Sequence, residues 1–190
     1  MSVLPITIYE DPYLRTKCDP VEKNSDELQQ FIDDLFDTMY NAHGVGLAAP
    51  QVANTSRVFV IDVDVMLKEE TGSEPIGPMA FINPEIIEKG DEIAEYEEGC
   101  LSIPDIREII QRPDYIKVKY LDREFKEQTL EARGWLSRVI QHEYDHVDGV
   151  LFIDYLGSFR KRLLRGKLRQ LDAGEIEPEY PTVPHVAQES

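Results

Sequence analysis

Gln141-His142-Glu143-Tyr144-Asp145-His146 sets two imidazoles four residues apart with a carboxylate between them. In a helix, side chains four apart stand one turn above each other on the same face. Two ring nitrogens can then meet one metal ion, with Glu143 beside it to carry protons, which is the minimum equipment for hydrolysis by activated water. The flanks favour a helix. Gly134 precedes the stretch and Gly149 follows it, at positions suited to a start and a C-terminal stop. Leu136, Ile140, Tyr144 and Val147 recur at helical spacing and make a core stripe. At about 100° per residue, that stripe and the histidine pair fall in different sectors. Trp135, Arg138 and Val139 project with the histidines. The helix is therefore expected to pack with one side and to present the other to a site.

Two ligands are not a site, because catalytic zinc-type centres take three protein ligands and keep a position open. One metalloprotease pattern places a third histidine six residues after the second, beyond a glycine. Gly149 is present, but Phe152 stands at the ligand position and cannot bind metal. Downstream carboxylates fall in polar loops or in the tail, with no helix to aim them. Cys100, in Glu97-Glu98-Gly99-Cys100-Leu101-Ser102-Ile103-Pro104, is the better candidate. Gly99 permits a sharp backbone path beside it, and one cysteine with two histidines is a recognised catalytic ligand set. A lone cysteine also serves as a small buried apolar side chain, and the residues by themselves leave both readings open. A third cluster is Gly44-Val45-Gly46-Leu47-Ala48-Ala49-Pro50-Gln51. It lacks the Lys-Ser/Thr ending of a phosphate loop. It reads either as a helix-to-strand connection or as a site wall closed by Gln51, whose amide can donate to a developing oxyanion.

The remaining chain supplies the frame. At 190 residues one well-buried domain is expected, over 1–171. Asn24 with Glu27 suggests a capping box opening an amphipathic helix through Leu28, Phe31, Ile32, Leu35, Phe36 and Met39, ending near His43-Gly44. Val58 to Val63 reads as a buried strand, 64–79 as a long loop, and 80–88 and 93–97 as strands joined by a turn at Lys89-Gly90-Asp91. Ile116, Val118 and Tyr120 alternate with Lys117 and Lys119, and a turn at 122–124 leads to a further strand near 125–131. A last, basic helix is expected over 156–171. The fold class is α+β: mostly antiparallel sheets packed around a central helix that carries the histidine motif.

Composition excludes several classes. A net charge of −17 argues against DNA or RNA as the main partner. No apolar run reaches membrane-span length, and Met1-Ser2-Val3-Leu4-Pro5 lacks the features of a signal peptide, so a cytoplasmic protein is expected. Cys18 and Cys100 are too few for a disulfide framework and read as free thiols. Arg160, Lys161, Arg162, Arg165, Lys167 and Arg169 form a basic block, either a solvated helix face or a docking surface for an anionic partner. The acidic tail, 172–190, carries Pro178, Pro181 and Pro184 and is expected to be disordered, with His185 exposed and not a ligand.

Taken jointly, the clusters at 44–51, 98–102 and 141–146 resemble the three motifs of the peptide deformylase family, and Asp11-Pro12 with Leu14-Arg15 is similar to its N-terminal segment. The resemblance spans residues 6 to about 157. It implies removal of the formyl group from N-formylmethionine at the start of nascent polypeptides, releasing formate. It implies one divalent metal on Cys100, His142 and His146: Fe²⁺ in the cell, with Zn²⁺ or Ni²⁺ as substitutes. Metal-bound water would be the nucleophile and Glu143 the general base and later acid. Gln51 and the Leu101 N–H would steady the formyl oxygen. Gly44, Val45, Gly46, Glu98 and Gly99 would line the peptide path, pairing in part by strand addition. Glu98 with Arg107 would brace the site. Trp135, Arg138 and Val139 would line the methionine pocket, with Arg138 offering its aliphatic stem where an apolar residue is usual. Substrates of this family emerge from ribosomes, so the basic block at 160–169 is expected to bind ribosomes weakly.

Overall fold

A computed structural model describes residues 2–71 and 74–183; His185 lies outside them. The architecture is α+β. Helix α1 spans Asp26–Asn41, and strands β1 (Gly46–Ala48) and β2 (Val58–Ile61) follow. Helix α2 covers Asp64–Thr71, and then come β3 (Met79–Lys89), β4 (Ile93–Cys100), β5 (Ile103–Pro113), β6 (Ile116–Leu121) and β7 (Glu127–Ala132). The motif helix α3 is Gly134–Val147, and α4 is Ser158–Asp172. One antiparallel sheet has the order β1-β2-β3-β6-β7, while β4 and β5 form a separate two-stranded ribbon.

The four residues of β2 explain how the layers assemble. All four are fully buried, because the strand is covered on both faces, and successive side chains point opposite ways. Phe59 and Ile61 enter one cluster with Phe81, Val118, Ile140 and Val147, under α3. Val58 and Val60 enter the other with Leu28, Ile32, Leu35 and Met39 of α1. The sheet thus lies between the two helices, and the stripe Leu136–Ile140–Tyr144–Val147 is the side of α3 that faces it. A third cluster, with Leu14, Ile103, Ile106, Ile110, Phe152 and Leu171, seats the ribbon against α4.

Several local expectations change. Strands β3 and β4 do not form a hairpin across Lys89–Asp91: β3 pairs with β2 and β6, and β4 pairs with β5. Gly90 is where the chain leaves one sheet for the other. Residues 64–71, expected as loop, form α2. The cap of α1 is Ser25, whose hydroxyl accepts from Leu28 N at 3.2 Å, while Asn24 instead accepts from Gln29 Nε2. The acidic tail is not without structure as far as Val183: Ile6 N donates to Pro181 O and Val183 N donates to Ile6 O, both at 2.9 Å.

Candidate metal centre

Helix α3 brings His142 and His146 to one face, and the end of β4 delivers Cys100 to them. The thiol and a ring nitrogen from each histidine lie within 4.8 Å of one another. Cys100 Sγ is 3.2 Å from His146 Nε2. Where β4 turns into β5, the register shifts between Gly99 and Cys100, and that irregularity swings the thiol out of the ladder.

His142 is aimed by a carboxylate behind it. Its Nδ1 donates to Glu98 Oε2 at 2.8 Å, which leaves Nε2 for the cluster and is the usual outer-shell device at metal sites. Glu98 also accepts from Arg112 Nε (2.7 Å) and Nη2 (3.1 Å) and from Arg138 Nη1 (2.7 Å). Arg112 Nη1 donates to Asp145 Oδ2 at 2.6 Å, and Tyr155 donates to the same oxygen at 2.8 Å. Burial alone would raise the Glu98 pKa, but the hydrogen bonds from His142 and Arg112 and their charges overcome it and hold the carboxyl well below the usual range. Burial would likewise lower the His142 pKa, yet its bonds to Cys100 and Glu98 raise it. For His146 the balance is the reverse: burial, then the positive charges of His142 and Arg112, push its pKa down.

Glu143 stands on the cluster's open side, 4% exposed. Burial pushes its carboxyl up to about 7, against the opposing charge of His142. Its Oε2 and His146 Nδ1 are two of the three buried polar side-chain atoms without a partner among the described residues. Gly46 makes room for it: a Cβ there would sit 2.8 Å from Glu143 Cδ. Gln51 reaches the cluster from the other wall. Its Oε1 accepts from Ala48 N at 2.9 Å, and its Nε2 donates to Ser102 Oγ (3.2 Å) and to Cys100 Sγ (3.5 Å).

A cleft of about 660 Å³ opens at these groups and is lined by Gly44, Val45 and Gly46 and by Glu98, Gly99 and Leu101. Trp135, Val139 and Arg138 line it as well. Among the described residues, β1 is the outer strand of its sheet and β4 pairs only with β5, so two strands that contribute to the cleft lining each have one edge without a β-partner there.

One expectation about this site needs correcting. Arg107 is not the brace; its side chain is 70% exposed, and its ion pair among the described residues is with Glu97, at 3.9 Å. Arg112, 3% exposed, does that work. Arg138 does not offer a free polar end to the cleft, because Nη1 also donates to Ile110 O (2.9 Å) and Nη2 donates to Ala94 O (2.8 Å). Arg112 is identified by the register of β5, which the apolar pattern of the sequence does not reveal. Ile106, Glu108, Ile110 and Arg112 share one parity of β5 and are buried, while Asp105, Arg107, Ile109 and Gln111 share the other and are exposed.

The family model for polypeptide deformylase matches residues 3–162. The chain belongs to that family. The peptide deformylase of Salinibacter ruber is 56% identical to it over 184 residues, covering 95% of this chain and 94% of that one. A crystal structure of the peptide deformylase from Ehrlichia chaffeensis aligns with a TM-score of 0.83 at 35% identity, covering 92% of this chain and 99% of the other. A structure of the Ehrlichia chaffeensis deformylase in complex with actinonin aligns at 0.82 with 38% identity, covering 90% of this chain and 98% of the other. Polypeptide deformylases are metal-dependent, and the thiol with two imidazoles is a donor set that suits Zn²⁺ or Fe²⁺. The unpartnered Glu143 oxygen beside that set fits the same role, since a buried polar atom without a partner is costly unless a ligand completes it.

Proposed function

We propose that this protein hydrolyses the N-formyl group from the formylmethionine of nascent polypeptides, releasing formate, with residues 1–171 acting as one catalytic domain. A divalent cation held by Cys100, His142 and His146 would acidify water and polarise the formyl carbonyl. We assign Fe²⁺ to that site in the cell, with Zn²⁺ and Ni²⁺ able to occupy the same donors.

The chain's own residues do the rest. Glu143, raised toward neutrality by burial, takes a proton from water as it attacks the formyl carbon and returns it to the departing amine nitrogen. Gln51 Nε2, already aimed at the Cys100–Ser102 turn, and the N–H of Leu101 donate to the formyl oxygen as charge develops there. The free edges of β1 at Gly46 and of β4 at Glu98–Gly99 hold the peptide backbone by strand addition. Trp135, Val139 and the stem of Arg138 take the methionine side chain. No helix among the described residues is long and apolar enough to cross a membrane, in keeping with work on nascent chains in the cytoplasm. The basic face of α4 gives weak, salt-sensitive ribosome contact in this reading.

The observation that carries the proposal is a thiol and two imidazoles converging beside a buried carboxylate with one unpartnered oxygen, in a peptide-sized cleft. The test is formate release from formyl-Met-Ala-Ser by anaerobically purified protein loaded with iron or with nickel. No formate with either metal overturns it.

A further inference from the structure

The residues after α4 lie beyond the stretch that the family model matches, yet they reach the cleft. Ile176 packs into the cluster under the ribbon, and Tyr180 packs against the cluster under α1. The Tyr180 hydroxyl donates to Leu101 O at 2.6 Å, on the residue that follows the thiol ligand. Thr182 then bridges to Ile6 in parallel. Between these anchors, Glu177, Pro178, Glu179 and Tyr180 line the cleft. The segment is a strap fixed at both ends, and two prolines, Pro178 and Pro181, limit its freedom.

The strap also sets the charge of the cleft mouth. Of the charged cleft residues, Glu98 and Arg138 are buried and paired with each other, and Glu143 is buried at the floor with an unpartnered oxygen facing no protein donor. Among the described residues, the exposed ones are Glu97, Asp105, Glu177 and Glu179, against Arg107 alone. Two of these four carboxylates belong to the strap. A peptide whose formyl group reaches the floor must run its following residues past that rim, where opposite charge attracts and like charge repels.

We propose that residues 176–183 are a strap that completes the peptide cleft, and that Glu177 and Glu179 on it select formylated peptides carrying a basic side chain after the methionine. Tyr180 is the pin that holds the strap in place. The inference rests on the deformylase reading and adds to it a source of selectivity from outside the shared motifs.

The experiment compares kcat/KM for formyl-Met-Ala-Lys, formyl-Met-Ala-Glu and formyl-Met-Ala-Ser at low salt. The wild-type protein favours the lysine peptide over the glutamate peptide by about fivefold, the scale of exposed charge pairs, and the ratio shrinks as salt is added. In E177Q/E179Q the ratio falls toward one; in E177K/E179K it inverts; in Tyr180→Phe, which removes the bond to Leu101 O and loosens the strap at that point, it falls. Melting curves establish that each variant is folded, and the ratio is an internal comparison that a uniform loss of activity leaves alone. A ratio unchanged in E177Q/E179Q and E177K/E179K overturns the strap's role. No formate from any of the three peptides overturns the deformylase reading itself, and the strap's selectivity with it.

Discussion

The two nitrogens of His142 look into regions built on opposite rules. Behind Nδ1, buried Glu98, Arg112 and Arg138 and the partly buried Asp145 are bonded to one another. Ahead of Nε2 lie Cys100, His146 and Glu143, where two buried polar atoms have no partner. Completed buried networks rigidify what they hold, whereas incomplete ones cost free energy until something fills them. The first region is scaffold for the second. Damage to the scaffold should therefore cost stability together with function, and damage to the incomplete side should cost function with little stability.

Glu143→Ala gives the largest separation of the two. Loss of a general base lowers turnover by on the order of 10²–10⁴-fold, seen as formate release. Removing a buried carboxylate that has an unpartnered oxygen also removes a desolvation cost. The variant should keep its metal by elemental analysis and melt no lower than wild type. A clear drop in melting temperature would break the contrast. Gln51→Ala comes next. Its Oε1 is held by Ala48 N while its Nε2 points into the site, so kcat should fall by about 10²–10³-fold, the usual cost of one oxyanion donor. A variant that loses only substrate affinity, with kcat intact, would place Gln51 in binding and not in charge stabilisation.

Arg112→Met probes the completed side. It strands Glu98 and Asp145, each buried or nearly so, without their shared cation. Removing one partner of a buried pair costs about 3–5 kcal/mol, so the melting temperature falls. Loosening the carboxylate that orients His142 should also weaken metal binding about 10–100-fold, read by titration with a chelator. If Arg112→Met melted like wild type while losing metal, the scaffold would be a tuning device only.

The contrast also marks what the sequence could reveal. The helix of His142 and His146 was legible because its stripe of Leu136, Ile140, Tyr144 and Val147 follows one period and nothing interrupts it. Strand β2 was legible because Val58 to Ile61 is apolar on both faces. The ribbon strand β5 was not, because its inward face mixes Ile106 and Ile110 with Glu108 and Arg112, while Ile109 points outward with 64% of its surface exposed. Buried charges erase the apolar alternation that identifies a strand, and here they are charges the site requires. The β3–β4 link failed differently. Lys89-Gly90-Asp91 has hairpin chemistry, but turn residues say that the chain bends and not which strand it will pair with afterwards. The strap was hidden by composition, since acidic, proline-bearing tails usually lack a core to join, and this one joins through two residues, Ile176 and Tyr180.

Arg107→Ala is expected to do least. Spacing alone cannot choose between Arg107 and Arg112 as the partner of Glu98, since both lie on β5 and both are cations. Register does choose. Glu98 pairs with Glu108, and Gly99 pairs with Arg107, so Arg107 takes the parity that faces solvent, and its contact with Glu97 is 3.9 Å between two exposed side chains. Such a change should stay within about ±0.5 kcal/mol in stability, and metal affinity should be unaltered. Measured beside Arg112→Met in one chelator titration and one melting series, it isolates position from charge. The two variants remove the same positive charge from the same strand, five residues apart, and only the one on the buried parity should disturb His142. Equal effects from both would mean that the net charge near the cleft, and not the bonded network behind Nδ1, sets the strength of the metal site.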